Sequence, residues 1–108
     1  MSYEKIGDVQ VAQGDLPGAL GSFRDGLAIA ERLAKSDPGN AGWQRDLSVS
    51  YDKLGRVFEA MGRRDDALVQ YREDLAIAER LAAKDASNAE WQNDVAISRA
   101  RMKRLTAK

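Results

Sequence analysis

The stretch LAIAERLA occurs twice, at 27–34 and 75–82, and this repetition restricts the possible folds more than any other feature of the sequence. When 2–49 is written above 50–97 without a gap, about half of the 48 aligned positions are identical. An internal period of this size is typical of repeat proteins, in which each unit packs on its neighbours. The sequence therefore predicts one repeat domain over 1–108, with repeat 1 at about 2–49 and repeat 2 at about 50–97.

Each repeat has the pattern of two antiparallel α-helices. The first helix of repeat 2 carries large apolar residues three or four positions apart, at Trp43, Leu47, Tyr51, Leu54, Phe58 and Met61. The second helix has a wider apolar face, as expected when a helix packs against two neighbours. The connections are only a few residues long, so consecutive helices fold back on each other. We expect five helices, and the last, at about 88–106, caps the C-terminal end.

Several residues mark helix ends and helix contacts. Asn40 and Asp15 are predicted to cap the start of helices, and Gly62 is predicted to end one in a left-handed conformation. Gly7 and Gly55 lie inside helical patterns, where glycine costs about 1 kcal/mol relative to alanine. We therefore expect another helix to approach closely at both glycines.

The composition argues against several functional classes. The chain has no cysteine and no histidine, so it has no disulfide, no thiol or imidazole catalyst and no zinc site of the usual kind. Its 17 basic and 17 acidic residues cancel, which argues against a general nucleic-acid binder. No apolar run is long enough to span a membrane, and the N-terminus has no hydrophobic signal segment. We expect a cytoplasmic protein without metal or cofactor, which is not an enzyme.

The second repeat resembles the tetratricopeptide repeat. The positions that match the pattern of that family are Leu54, Gly55, Phe58, Gly62, Ala67, Leu68, Tyr71 and Leu75. The resemblance implies an all-α, right-handed superhelical solenoid of antiparallel helix pairs. The period of 48 residues is longer than the usual period of about 34, so each helix is expected to be longer. One departure from the family pattern lies late in the second helix, where the usual small residue is replaced by Gly26 in repeat 1 and by Asp74 in repeat 2.

The resemblance also implies where a ligand binds, because the family binds peptides on the concave surface formed by the first helix of each pair. Here that surface is expected to include Glu4, Asp8, Val11, Val49, Asp52, Lys53, Arg56, Glu59, Arg101 and Arg104. It changes from acidic to basic along the chain and would suit a protein segment or extended peptide of mixed charge. The alternative is an ordinary solvated face. Acidic residues at positions 8 and 52 argue against binding of chaperone C-terminal carboxylates.

A second hypothesis is self-association through the ends of the solenoid. The first helix lacks a counterpart of 40–49, so the end of the next helix misses part of its expected cover. Exposed apolar surfaces of this kind often become interfaces. We expect a homo-oligomeric contact, in a closed dimer or in head-to-tail stacks, to involve Ile29, Leu33, Met102 and Leu105. A fragment of a longer repeat array would show the same features, and the sequence does not separate these alternatives.

The remaining aromatic and basic residues have two interpretations each. Trp43 and Trp91 are predicted to pack against the end of the preceding helix, and a ligand platform is the alternative. The basic C-terminal stretch 98–108 is predicted to be a polar cap for the last helix, and a contact to an acidic partner or to nucleic acid is the alternative.

Overall fold

The computed structural model describes residues 2–107, and within this range it contains five α-helices and no strand. The helices are α1 Tyr3–Ala12, α2 Leu16–Ser36, α3 Ala41–Ala60, α4 Arg64–Lys84 and α5 Ala89–Thr106. Each helix packs chiefly against the helices before and after it in the chain. The fold is therefore an all-α helical-repeat solenoid, as the period and the resemblance predicted.

The helix ends follow local sequence signals. The side chains of Asp15, Asn40 and Asn88 each accept a hydrogen bond from the backbone N–H three residues later. Gly14 and Gly62 follow α1 and α3 with φ of 79° and 76°, which side-chain-bearing residues rarely adopt. These caps and left-handed glycines fix the short turns that make successive helices antiparallel.

The main core lies at the end of the helices where the turns at Gly14 and Gly62 connect them. Its buried members are Ala19, Leu20, Phe23, Leu54, Val57, Phe58, Ala67, Tyr71 and Leu105. A smaller cluster at the other end of α4 and α5 contains Ala78, Ala82 and Val95, with Trp91 packed against it. The contact of Trp91 with the end of the preceding helix confirms the packing prediction for that residue.

Two mid-helix glycines allow close packing of an aromatic ring. A Cβ atom added at Gly7 would meet the ring of Phe23, and one added at Gly55 would meet the ring of Tyr71. Both rings belong to the helix that follows in the same repeat. The predicted reason for the two glycines, close approach of a neighbouring helix, is confirmed.

The two copies of LAIAERLA lie in the second half of α2 and of α4, but they are not equally buried. Ile77 and Leu81 are each 3 % exposed, whereas their counterparts Ile29 and Leu33 are 41 % and 39 % exposed. In the second repeat the start of α3 lies beside this segment, since Gln44 lines a cavity together with Ile77 and Leu81. In the first repeat α1 has 10 residues against 20 in α3, so it does not extend along the end of α2.

Candidate functional site

Ion pairs join the first helices of successive pairs, α1, α3 and α5, across one surface. We call it the concave groove, after the concave surface that the family resemblance implies. Lys53 Nζ lies 3.0 Å from an Asp8 oxygen, which links α3 to α1. Arg104 lies 2.9 Å from Glu59, which links α5 to α3. Four of the groove residues predicted from the sequence are therefore neighbours that bind one another.

Between α3 and α5 the groove deepens into a cavity of about 180 Å³, which we call the α3–α5 cleft. Its lining residues are Arg45, Ser48, Val49, Asp52, Arg56, Asp74, Asp94, Ile97, Ser98 and Arg101. Most of these carry charge, and both signs are present. Val49 is half-buried and Ile97 is 48 % exposed, so the cleft also offers an apolar contact.

The floor of the cleft contains a buried carboxylate, Asp74 of α4, which is 6 % exposed. Ser48 and Ser98 donate hydrogen bonds to its two oxygens, from α3 and α5 respectively. Burial raises the pKa of Asp74 above its ordinary value, and the two serine hydrogen bonds oppose this shift. Asp74 therefore connects three helices beneath the groove.

Sequence reasoning noted Asp74 only as a departure from the family pattern. A signal was present, because Tyr71, Asp74, Ala78 and Leu81 follow one another at helical spacing on the buried side of α4. An acidic residue in such a row requires polar partners, since burial of a lone carboxylate is costly. In the first repeat the counterpart is Gly26, where an added Cβ would lie 3.3 Å from Tyr3 Cβ.

Arg101 is the residue that joins this floor to the groove surface. Its guanidinium pairs with Asp52, lies 3.8 Å from an Asp74 oxygen and lies 4.6 Å from the centre of the Tyr71 ring. Only 13 % of its side chain is exposed. Arg101 was predicted as a peptide-binding residue, and the structure places it largely beneath the surface, where it holds two carboxylates.

Four other residues, Arg56, Arg45, Glu4 and Val11, lie closer to the surface than Arg101. Arg56 pairs with Asp52 at 3.1 Å while 60 % of its side chain stays exposed. Arg45 reaches Glu90 and Asp94 of α5 at 2.9 and 3.3 Å, and sequence reasoning did not assign Arg45 to the groove. Glu4 and Val11 are exposed on α1.

Glu59 lies toward the C-terminal end of α3 and accepts hydrogen bonds from two groups. The Tyr71 hydroxyl donates at 2.9 Å, and Arg104 donates from α5 at 3.1 Å. The Arg104 hydrogen bond is the main reason why the pKa of the Glu59 carboxyl is lowered. The negative charge of Glu59 is thus held between the two repeats.

A second cavity, of about 130 Å³, lies between α1 and α3 above α2, and we call it the first-repeat pocket. Its lining residues are Asp8, Val11, Leu16, Phe23, Lys53, Arg56, Val57 and Ala60. Four of these, Asp8, Val11, Lys53 and Arg56, were predicted to line the groove. The pocket and the α3–α5 cleft share Arg56, so they are adjacent parts of one surface.

The residues predicted for self-association divide into two groups. Ile29 and Leu33 are exposed on α2, so a second chain can reach them, as self-association requires. Met102 is half-buried against the main core, and Leu105 is 7 % exposed within it. Leu105 is the counterpart, 48 positions later, of the buried Val57 of α3, and it packs inward in the same way. It therefore offers no surface to a partner.

The sequence predicts neither a metal-ligand cluster nor a membrane-spanning helix. Residues 2–107 contain no group of three or more acidic residues arranged to hold a metal ion. None of the helices described there is long and apolar enough to cross a lipid bilayer.

Comparison with known proteins identifies the repeat. The family model of the tetratricopeptide repeat matches residues 47–85, which covers most of α3 and all of α4. No curated protein matches the chain. Tetratricopeptide repeats generally mediate protein–protein interactions and are typically non-catalytic scaffolds. The chain therefore contains a tetratricopeptide repeat at residues 47–85, within an all-α helical-repeat solenoid.

Proposed function

We propose that the chain is a non-catalytic interaction scaffold that binds an extended peptide or protein segment in the concave groove. The observation that carries this proposal is the α3–α5 cleft, in which the exposed side chain of Ile97 stands beside charges of both signs. An apolar contact surrounded by polar groups is the usual composition of a peptide-binding surface. The ion pairs between α3 and α5 support it further, because they hold the two walls in a fixed relation.

The test uses a change on the cleft surface that leaves the ion pairs intact. Ile97→Glu places a charge at the apolar contact, and Val69→Glu makes the same change on α4 at a residue that is 52 % exposed and does not line the cleft. Each protein is immobilised, and the captured partner is identified by mass spectrometry and its affinity measured. We expect Ile97→Glu to lose the partner and Val69→Glu to keep it. Equal retention by both variants would refute groove binding.

A second candidate function is self-association, which the exposure of Ile29 and Leu33 favours. These side chains are identical to the buried Ile77 and Leu81, so the chain itself provides an example of the helix contact they can make. Of the exposed large hydrophobic residues in the described chain, only Ile97 belongs to α5. This distribution favours contact between two N-terminal ends over head-to-tail stacking.

Sedimentation equilibrium of the purified chain tests this second function. We expect a dimer that dissociates in Leu33→Glu, while Val69→Glu keeps the parent mass. A monomeric parent at tens of micromolar would refute it. The outcome is independent of the capture experiment, since Leu33 does not line the α3–α5 cleft.

A further inference from the structure

The first-repeat pocket differs from the rest of the groove in its apolar interior. Val11, Leu16, Phe23, Val57 and Ala60 supply apolar surface, while Asp8, Lys53 and Arg56 supply the charged members of the lining. Phe23 and Val57 are also members of the main core, with 4 % and 2 % of their surface exposed. The pocket therefore leads from the groove directly to the hydrophobic core.

The corresponding place in the second repeat is occupied by polar groups. Val11 corresponds to Glu59 and Phe23 corresponds to Tyr71 in the 48-residue alignment. There the Tyr71 hydroxyl donates to Glu59, which also pairs with Arg104, the counterpart of Arg56. Neither interaction is possible in the first repeat, because Val11 has no carboxylate and Phe23 has no hydroxyl. The first repeat thus has an open apolar pocket where the second repeat has a network of hydrogen bonds and ion pairs.

The volume of the pocket limits what can enter it. An apolar cavity of about 150 Å³ accepts a molecule as large as benzene. The first-repeat pocket, at about 130 Å³, is slightly smaller. It therefore suits one aliphatic side chain of leucine or methionine size, and it is too small for an indole ring.

The charges around the pocket favour an acidic group next to that side chain. Lys53 is held by Asp8 at 3.0 Å, and only 23 % of the Lys53 side chain is exposed. Arg56 is 60 % exposed, and its partner Asp52 is shared with Arg101. The guanidinium of Arg56 is therefore incompletely neutralised and lies where a carboxylate on the ligand reaches it.

We infer that the first-repeat pocket binds a leucine- or methionine-sized side chain of a peptide, with an adjacent acidic residue that pairs with Arg56. This inference rests on the proposed function and specifies the ligand for one end of the groove. Insertion removes water from the exposed surface of Val11 and from the apolar atoms of the inserted side chain, which is the source of affinity. The adjacent charge pair fixes the direction of the peptide.

The probes are three capped dipeptides: N-acetyl-leucyl-glutamate amide, N-acetyl-seryl-glutamate amide and N-acetyl-leucyl-lysine amide. Binding is followed by NMR, from the methyl signals of Leu16, Val57 and Ala60, which line the pocket and are present in every variant. The test variant is V11E, which introduces the carboxylate that the second repeat has at Glu59. The matched control is V9E, because Val9 is on the same helix and is 48 % exposed, against 41 % for Val11.

We expect the leucyl-glutamate probe to shift these signals and to saturate at lower concentration than the other two. V11E is expected to weaken this binding by about tenfold or more, a loss of about 1.4 kcal/mol, and V9E to leave it unchanged. Absence of binding by the leucyl-glutamate probe, or equal binding of the seryl probe, would overturn the apolar site. Equal binding of leucyl-lysine would overturn the role of Arg56. If the wider groove function is correct, the parent chain still captures its partner and Ile97→Glu still loses it, whichever of these results is found.

Discussion

Ser48 donates a hydrogen bond to Asp74, which joins the first half of α3 to a carboxylate buried in α4. Ser98 donates to the same carboxylate from α5, so three helices meet at one acidic group. The carboxylate thus supports both walls of the α3–α5 cleft.

The stability of the chain is expected to depend on the ionisation of Asp74. Burial raises its pKa in the folded chain above the ordinary value of 3.8, so the folded state holds the proton more tightly. This group therefore favours folding at low pH, and the contribution is lost as the pH rises from about 3.8 through the raised pKa. Asp74→Asn cannot titrate. We expect its free energy of unfolding, relative to the parent, to increase with pH across this window.

Urea denaturation of both proteins between about pH 4 and pH 7 measures this difference. The lowered pKa of Glu59 acts in the opposite direction, because its contribution to stability is lost at acidic pH. That contribution is present in both proteins and cancels when they are compared. A difference that is constant over the whole range would contradict the assignment of Asp74.

Removal of Arg101 is expected to destabilise the fold far more than removal of Arg104. Arg101→Ala leaves Asp52 and Asp74 without their shared cation, and loss of one partner from a buried ion pair costs about 3–5 kcal/mol. The side chain of Arg101 is 13 % exposed, whereas that of Arg104 is 59 % exposed and remains accessible to water. Chemical denaturation measures both variants. The cost of Arg101→Ala should fall in an Asp74→Asn background. An unchanged cost would mean that Arg101 and Asp74 do not interact.

Gly55→Ala and Gly21→Ala are expected to have opposite effects. Alanine is favoured over glycine inside a helix by about 1 kcal/mol. At Gly21, in α2, an added Cβ meets open space, so the substitution should stabilise the chain by about this amount. At Gly55 the Cβ meets the Tyr71 ring, and overpacking of this kind costs about 1–3 kcal/mol. Thermal unfolding should show a higher midpoint for Gly21→Ala and a lower one for Gly55→Ala.

The same substitution in the two copies of LAIAERLA is expected to have unequal costs. Ile77→Ala removes a buried side chain and should cost about 2–5 kcal/mol. Ile29→Ala removes a side chain that is 41 % exposed and should cost less than about 1 kcal/mol in dilute solution. Equal costs in urea denaturation would mean that Ile29 is covered in solution. The comparison is internally controlled, because the seven other residues of LAIAERLA are identical in the two copies.

The parts of the fold that depend on local sequence could be predicted. Helix spacing, the cap at Asn40 and the left-handed Gly62 follow from interactions within a few residues, and the structure contains all three. The short connections between the helices then predicted which helices are neighbours. The glycine at position 55 also indicated a close contact correctly, although its partner, Tyr71, required the structure.

The parts of the site that depend on side-chain reach could not be predicted. Whether Arg101 faces a ligand or turns toward Asp52 and Asp74 depends on distances of a few ångströms between helices one repeat apart. The first-repeat pocket was missed for a similar reason. Val11 was recognised as a groove residue, but the cavity beside it becomes visible only when Phe23 and Val57 are placed in three dimensions.

The ion pairs between first helices connect residues that are 45 to 49 positions apart, about one repeat in each case. They therefore act between units and not within a helix. Dissolved salt screens exposed charges over about 10 Å at 0.1 M, so it weakens the exposed members of this series first. Higher ionic strength is therefore expected to loosen the contacts between successive first helices at Arg45 and Arg104 before it affects the buried guanidinium of Arg101.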